Sequence, residues 1–295
     1  MKKIIFEGVG TALVTPMKNG KIDYNSLSFI IEEQISSGID ALIIGGTTGE
    51  AATLGDRERY ELFSKSKEIT AGRIPLIFGT GTNDTKVAVK HTKEAEKVGC
   101  DGVLVVTPYY NKGTHRGVTE HYVKIAKSTI LPIILYNVPS RTGVNLTIDQ
   151  LLRLSDEENI VAIKEAGDSL DRLIALSEIN DKMPLYAGND SHLHSALCLG
   201  GLGVISVISN IFPKETVRIH REFSKGNIVS SKNIQLSLMP FIRAMFRETN
   251  PSPIKYAMSL RGLCSEEVRL PLYPPENSTR ELIKCEYERI LSLGL

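Results

Sequence analysis

The chain has 295 residues, 42% of them hydrophobic, and sets 35 Lys and Arg against 34 Asp and Glu for a net charge of +1. That much apolar material can build a large core and excludes disordered, collagen-like and disulfide-scaffold classes. The balanced charge leaves no field to hold nucleic acid or an anionic membrane surface. A length near 300 residues fits one large α/β domain with a small appendage.

The N-terminal MKKIIFEGVG has only Ile4, Ile5 and Phe6 between its lysines and Glu7, too short for a signal peptide. No stretch approaches the ~18 apolar residues of a membrane span. Cys100, Cys198, Cys264 and Cys285 form no CxxC pair and are too few to staple the chain, so a reduced cytoplasm is expected.

Taken in order, eight short apolar runs recur: GTALVTP (10–16), ALIIGGTTGE (41–50), PLIFGTG (75–81), GVLVVTPYY (102–110), PIILYNVP (132–139), VAIKEAG (161–167), PLYAGND (184–190) and GVISVISN (203–210). They are continuously apolar, as parallel strands covered on both faces read. Between them the period changes to 3.6. Leu27, Ile30, Ile31 and Ile35 form a stripe capped by Asp23 or Ser26, with Gly38 past its end. Thr147 and Gln150 have capping-box spacing. Eight β-then-α units predict a (β/α)8 TIM barrel, with an open doubly wound sheet as the other candidate. After Asn210 the reading is helical: Pro213 to Gly226, then 230–247, 253–262 and 277–293. The predicted organisation is a 1–225 barrel carrying the site and a 226–295 C-terminal helical domain packed on it.

Parallel barrels place their chemistry at the carboxyl ends of the strands. Those ends supply Thr47 and Thr48, Tyr109 and Tyr110, Tyr136 with nearby Arg141, Lys164, and Gly188. Lys164 closes a buried apolar strand. Desolvation there favours the neutral amine, which can attack a ketone to form a Schiff base. Neutralisation by Glu165 or another carboxylate is the competing reading. Tyr136, Thr47 and Tyr110 can relay protons to such an imine, although each tyrosine alone reads equally as packing with a rim hydroxyl. The glycine-flanked GGTTGE segment can present N–H groups and two hydroxyls to a carboxylate. Arg141 offers a bidentate fork above the mouth, or a surface ion pair. His192 and His194 make an H-x-H near Asp190, but they fall in the helix after run seven, the wrong place for a barrel metal site. GVGTAL and GTGTND fall short of nucleotide-binding motifs. Lys86, Lys90, His91 and Lys93, interrupted by Glu94 and Glu96, read as a solvated helix face.

GTALVTP, GGTTGE, VTPYYNK, YNVPSRTG, AIKEAG and GVISV together resemble the dihydrodipicolinate synthase family of class I pyruvate-dependent aldolases, from about Gly8 through the barrel and more loosely beyond. The resemblance implies that Lys164 forms an imine with pyruvate, and that Tyr136, Thr47 and Tyr110 form the proton relay. It further implies that Tyr110 crosses a dimer interface in a dimer of dimers, and that Thr48 and the Ile205 backbone hold the pyruvate carboxylate. Gly188 would line the pocket, and Arg141 would receive the carboxylate of aspartate β-semialdehyde. The implied reaction is aldol addition followed by cyclisation, in lysine biosynthesis, with no cofactor, no metal, no nucleic acid and no membrane partner. Sister aldolases that take sugar aldehydes share Lys164 and Tyr136, but the cation at Arg141 suits a small anionic acceptor. A barrel that only binds a keto acid is the non-enzymatic alternative. Asp56, Arg59 and Val87 depart from residues common where lysine inhibits the family, while Asn83 and Tyr109 are retained, so weak or absent lysine inhibition is expected. Met17 replaces a usual phenylalanine and reads as a core exchange.

Overall fold

The computed structural model describes residues 2–294. Each of the eight runs overlaps one parallel strand, with two strands starting ahead of their runs: β1 Gly8–Ala12, β2 Ala41–Ile44, β3 Leu76–Gly79, β4 Gly102–Val106, β5 Ile133–Asn137, β6 Ile160–Glu165, β7 Leu185–Ala187 and β8 Gly203–Ser206. They form a closed barrel. β8 pairs with β1, setting Gly203 beside Gly8 and Ser206 beside Thr11, so no sheet edge is left and the open-sheet alternative falls.

Helices follow the strands: α1 Tyr24–Ser36, α2 Asp56–Thr70, α3 Thr85–Val98, α4 His115–Ala126, α5 Ile148–Leu154, α6 Leu170–Ser177, α7 Leu193–Cys198 and α8 Pro213–Ser224. Asp23 caps α1 by accepting from the backbone of Asn25 and Ser26. Thr147 and Gln150 close a reciprocal capping box on α5. Gly38, at φ +81°, follows the end of α1 in the left-handed region that its missing Cβ makes cheap.

The uninterrupted apolar character of the strands has a simple origin. Alternate residues feed two cores: Ala41 and Ile43 point into the barrel with Ile77, Leu104, Ile134 and Ile205, whereas Leu42 and Ile44 face the helix layer with Leu27, Ile30, Ile31 and Phe63. Phe6 plugs the amino-terminal end of the barrel and stacks on Tyr186 at 4.5 Å. Met17 is fully buried in the outer core, as expected for a core residue.

The carboxyl-terminal helices are α9 Ile228–Met245, α10 Ser252–Leu260 and α11 Asn277–Ser292, within a few residues of the predicted ranges. Their connecting segments are bonded into the barrel mouth. Lys255 is fully buried against Glu50 and also donates to the carbonyl of Glu267 at 2.8 Å. The backbone N–H of Arg269 donates to the other Glu50 oxygen at 2.9 Å, and the Arg269 guanidinium grips Glu58. These bonds fix the loop after β2 from above. Glu50 itself holds φ +56°, an uncommon conformation for a side-chain-bearing residue, so the loop is shaped by its partners. Gly79 serves the same loop from below: a Cβ there would lie 2.2 Å from the carbonyl oxygen of Gly45.

The face carrying Lys86, Lys90, His91 and Lys93 is only partly solvated. His91 is buried, with its Nε2 3.3 Å from Asp56 Oδ1, and Lys90 pairs with the same carboxylate at 2.6 Å. His91 falls on the inward side of α3 with Ala88, Thr92 and Ala95, a side the charge pattern alone obscured.

Candidate active site

At the carboxyl ends of the strands lies a cavity of about 690 Å³ lined by Thr47, Thr48, Tyr136, Arg141, Lys164 and Gly188 among others. A second cavity of about 420 Å³ shares Thr47, Tyr136, Arg141 and Asn250 with it and runs towards Arg59, His91 and Tyr109. Lys164 opens only into the larger one.

Lys164 reaches that cavity because of strand parity. Ala162 faces the barrel interior, so Lys164, two residues on, faces the same way, and its register partner on β5 is Tyr136. Its Nζ lies 4.4 Å from the centre of the Tyr136 ring. Only 4% exposed, the amine is held down to about 7 by burial; Asp190 opposes that shift and Arg141 adds to it.

Glu165 points the opposite way. Its carboxylate accepts from Asn137 Nδ2 at 2.9 Å, from the N–H of Gly167 at 2.8 Å and from Arg172 Nε at 3.1 Å. Neutralisation of Lys164 by Glu165 is thereby excluded, since adjacent strand residues face opposite sides.

Tyr136 stands beside Thr47. Burial raises its phenol above the usual value, while Arg141 and a hydrogen bond with the Thr47 hydroxyl pull it back. Arg141 occupies the single helical turn Pro139–Thr142 that follows β5. Its Nη2 donates to the backbone carbonyl of Asn250 at 3.0 Å, and among the described residues it makes no ion pair. The surface-pair reading of Arg141 therefore does not hold. Thr48 is buried and accepts from Asn250 Nδ2 at 3.0 Å. Gly188 lets the chain pass close to β6: a Cβ would lie 2.7 Å from both Ala166 Cβ and the Glu165 carbonyl oxygen.

Two predicted residues stand apart. Ile205 lies on β8 in the interior layer, and its side chain does not line the cavity. Tyr110 is 89% exposed at φ +69°, on a turn beyond β4, and within this single chain it does not reach the cavity. The His192 and His194 pair is occupied structurally at His194, whose Nδ1 lies 2.9 Å from Ser231 Oγ and whose ring packs edge-on against Phe223.

Asn250 and Asp190 are the residues that sequence reasoning passed over. Asn250 falls in the gap between the predicted helices 230–247 and 253–262, and Asp190 reads only as a neighbour of two histidines. In the fold, Asp190 is buried, and its Oδ2 accepts from the N–H groups of Val207 at 2.9 Å and Ile208 at 3.2 Å, pinning the turn after β8. A buried amine poised near neutrality, a phenol, two threonine hydroxyls and a guanidinium around one cleft can form and protonate an imine beside a carboxylate.

Comparison with known proteins points to one family. The profile of the Dihydrodipicolinate synthetase family matches residues 5–289. The 4-hydroxy-tetrahydrodipicolinate synthase of Thermotoga neapolitana is 48% identical over 285 residues, covering 95% of this chain and 97% of that protein. The crystal structure of dihydrodipicolinate synthase from Thermotoga maritima superposes with a TM-score of 0.94 at 43% identity, over 97% of this chain and 98% of that one. The chloride-inhibited dihydrodipicolinate synthase from Acinetobacter baumannii, complexed with pyruvate, gives a TM-score of 0.94 at 37% identity over 97% and 99% of the two chains. With a family profile spanning nearly its whole length and relatives this similar, the chain belongs to the dihydrodipicolinate synthetase family.

Proposed function

We propose that the chain condenses pyruvate with L-aspartate 4-semialdehyde to give 4-hydroxy-tetrahydrodipicolinate, as a Schiff-base lyase of diaminopimelate and lysine biosynthesis. The observation that carries this reading is Lys164, buried and poised at about 7 in the same cleft as Arg141. At pH 7 an ordinary lysine is neutral in roughly three molecules in ten thousand, whereas an amine poised there is neutral in about half.

The neutral Lys164 amine attacks C2 of pyruvate, and loss of water gives the iminium. Removal of a C3 proton gives the enamine, whose C3 attacks the aldehyde carbon of the acceptor. The new alkoxide takes a proton. The acceptor's own amine then displaces Lys164 from C2, closing the ring and freeing the lysine. Tyr136 and Thr47 carry protons in these steps, with Tyr110 completing the relay from a neighbouring subunit. Thr48 and the backbone at Ile205 hold the pyruvate carboxylate, Gly188 leaves room beside it, and Arg141 binds the acceptor carboxylate. No cofactor is needed for this sequence.

The assembly and location belong to the same proposal. A tyrosine that is both exposed and strained is well explained by a site completed in a dimer, and a dimer of dimers is the proposed assembly. No helix among the described residues is long and apolar enough to cross a membrane, and the cytoplasm is the proposed compartment. Residues 1–225 form the proposed catalytic unit, capped by a 226–295 helical domain. Pyruvate consumption by the purified protein is the test, with aspartate semialdehyde and N-acetylmannosamine as rival acceptors. Turnover only with the semialdehyde is expected; turnover only with the sugar would reassign the acceptor to that of a sister aldolase.

A further inference from the structure

The charged side chains on the wall of the Lys164 cavity are Arg141, Lys164, Arg243 and Arg247, against Asp168 and Glu248. With Lys164 protonated, Arg141 and Lys164 just balance the two carboxylates. With Lys164 neutral, as imine formation requires, those four groups sum to a negative charge, and a keto acid anion would be repelled from the amine it must meet. Arg243 and Arg247 therefore supply the whole positive excess of the cleft.

The pair is also uncommitted. Arg243 stands in the last turn of α9 and Arg247 just beyond its end at Met245, and both are exposed. Among the described residues no carboxylate oxygen lies within 4.0 Å of either guanidinium. Glu286, which lines a second small cavity with both arginines, is paired with Arg289 at 2.6 Å. The C-terminus of α9 favours a cation for the sake of the helix alone, a local role that does not depend on pyruvate. We propose that Arg243 and Arg247 form an entry site for the anionic keto acid, drawing its carboxylate to the mouth and raising its concentration above Lys164. The proposed acceptor gains little from the pair, because its ammonium and carboxylate cancel. This inference rests on the proposed Schiff-base reaction and adds the capture step that precedes it.

The test measures the pyruvate concentration that half-saturates borohydride trapping of the imine, without an acceptor, and the KM of each substrate in turnover. Both are taken at ionic strengths of about 0.01 M and about 1 M, between which the Debye length falls from about 30 Å to about 3 Å. One variant combines Arg243→Gln with Arg247→Gln; the rescue combines Arg243→Lys with Arg247→Lys. At low salt the glutamine variant is expected to need roughly two- to fivefold more pyruvate than wild type in both assays, the size of two unit charges acting through water. At high salt the two proteins converge. The lysine variant follows the wild type throughout, and the KM for aspartate semialdehyde is the same in all three proteins. A pyruvate shift of equal size at both ionic strengths would assign the arginines to the packing of the mouth and overturn the inference, as would a glutamine variant that matches wild type at low salt. A wild-type protein that consumes pyruvate but yields no trapped imine would overturn the Schiff-base reading, and the inference with it.

Discussion

Lys164 is legible from sequence because three apolar residues precede it at the end of a run, and the same parity that aims it into the barrel turns Glu165 away. Its charge state gives the first prediction. The amine loses its proton near 7 in the folded chain and at about 10.5 when unfolded. Imine formation is therefore expected to fall as pH drops through about 7, in a single-proton step seen in the pH profile of kcat/KM for pyruvate. Stability moves in the same direction: between about 7 and 10.5 the unfolded chain holds a proton that the folded chain does not, so the native state gains stability as pH rises across that window. Lys164→Met should consequently be more stable than wild type by a few kcal/mol at pH 6, with the gap closing towards pH 10.5, measured by urea denaturation at both ends. A Lys164→Met protein no more stable at pH 6 would contradict the buried-amine account. Asn250 is the opposite case in legibility. Its contacts to Thr48 and Arg141 span 202 and 109 positions, and no local pattern signals a bond of that range.

At the scale of elements, the eight runs located the strands, but several run past them into the loops that bear function. β2 ends at Ile44, so Thr47 and Thr48 stand on the loop beyond it, and Tyr110 lies four residues after β4. The runs are bounded by composition, whereas a strand ends where its ladder pairing stops, and β2 pairs with β3 only as far as Ile44 with Phe78, so that boundary is not legible in the sequence. The Glu50 and Lys255 pair was missed for a related reason: each reads as an ordinary surface charge until the segment after α9 folds over the mouth. Removing one partner of a buried pair leaves the other charge uncompensated, at a cost of about 3–5 kcal/mol. Lys255→Met is expected to lose stability of that size in chemical denaturation and to raise the KM for pyruvate, because the Thr47 and Thr48 loop loses its anchor. A loss under about 1 kcal/mol would show that the pair does not hold the loop.

For the whole molecule, the barrel follows from repetition and parity, whereas assembly and regulation depend on surfaces that one chain leaves open. Tyr110→Phe is expected to weaken turnover while leaving thermal unfolding unchanged, since the side chain is almost wholly exposed in the single chain. Wild-type turnover in that variant would remove Tyr110 from the relay. Lysine sensitivity depends on the second cavity, which Arg59 lines. Among the described residues Arg59 there is a buried cation hydrogen-bonded only to the carbonyls of Gly79 and Ala51, each at 2.9 Å, and Asp56 is already paired with Lys90. An ammonium placed near that guanidinium would be repelled, so lysine at low millimolar concentration is expected to leave the initial rate unchanged; clear inhibition there would contradict this.

The central claim is that Lys164 is the covalent centre. Pyruvate is added to the purified protein, borohydride fixes any imine, and peptide mass spectrometry locates the adduct. The account predicts one modified residue, Lys164, and no adduct in a folded Lys164→Ala protein that has also lost turnover. An adduct on another lysine, or none while pyruvate is still consumed, would contradict it.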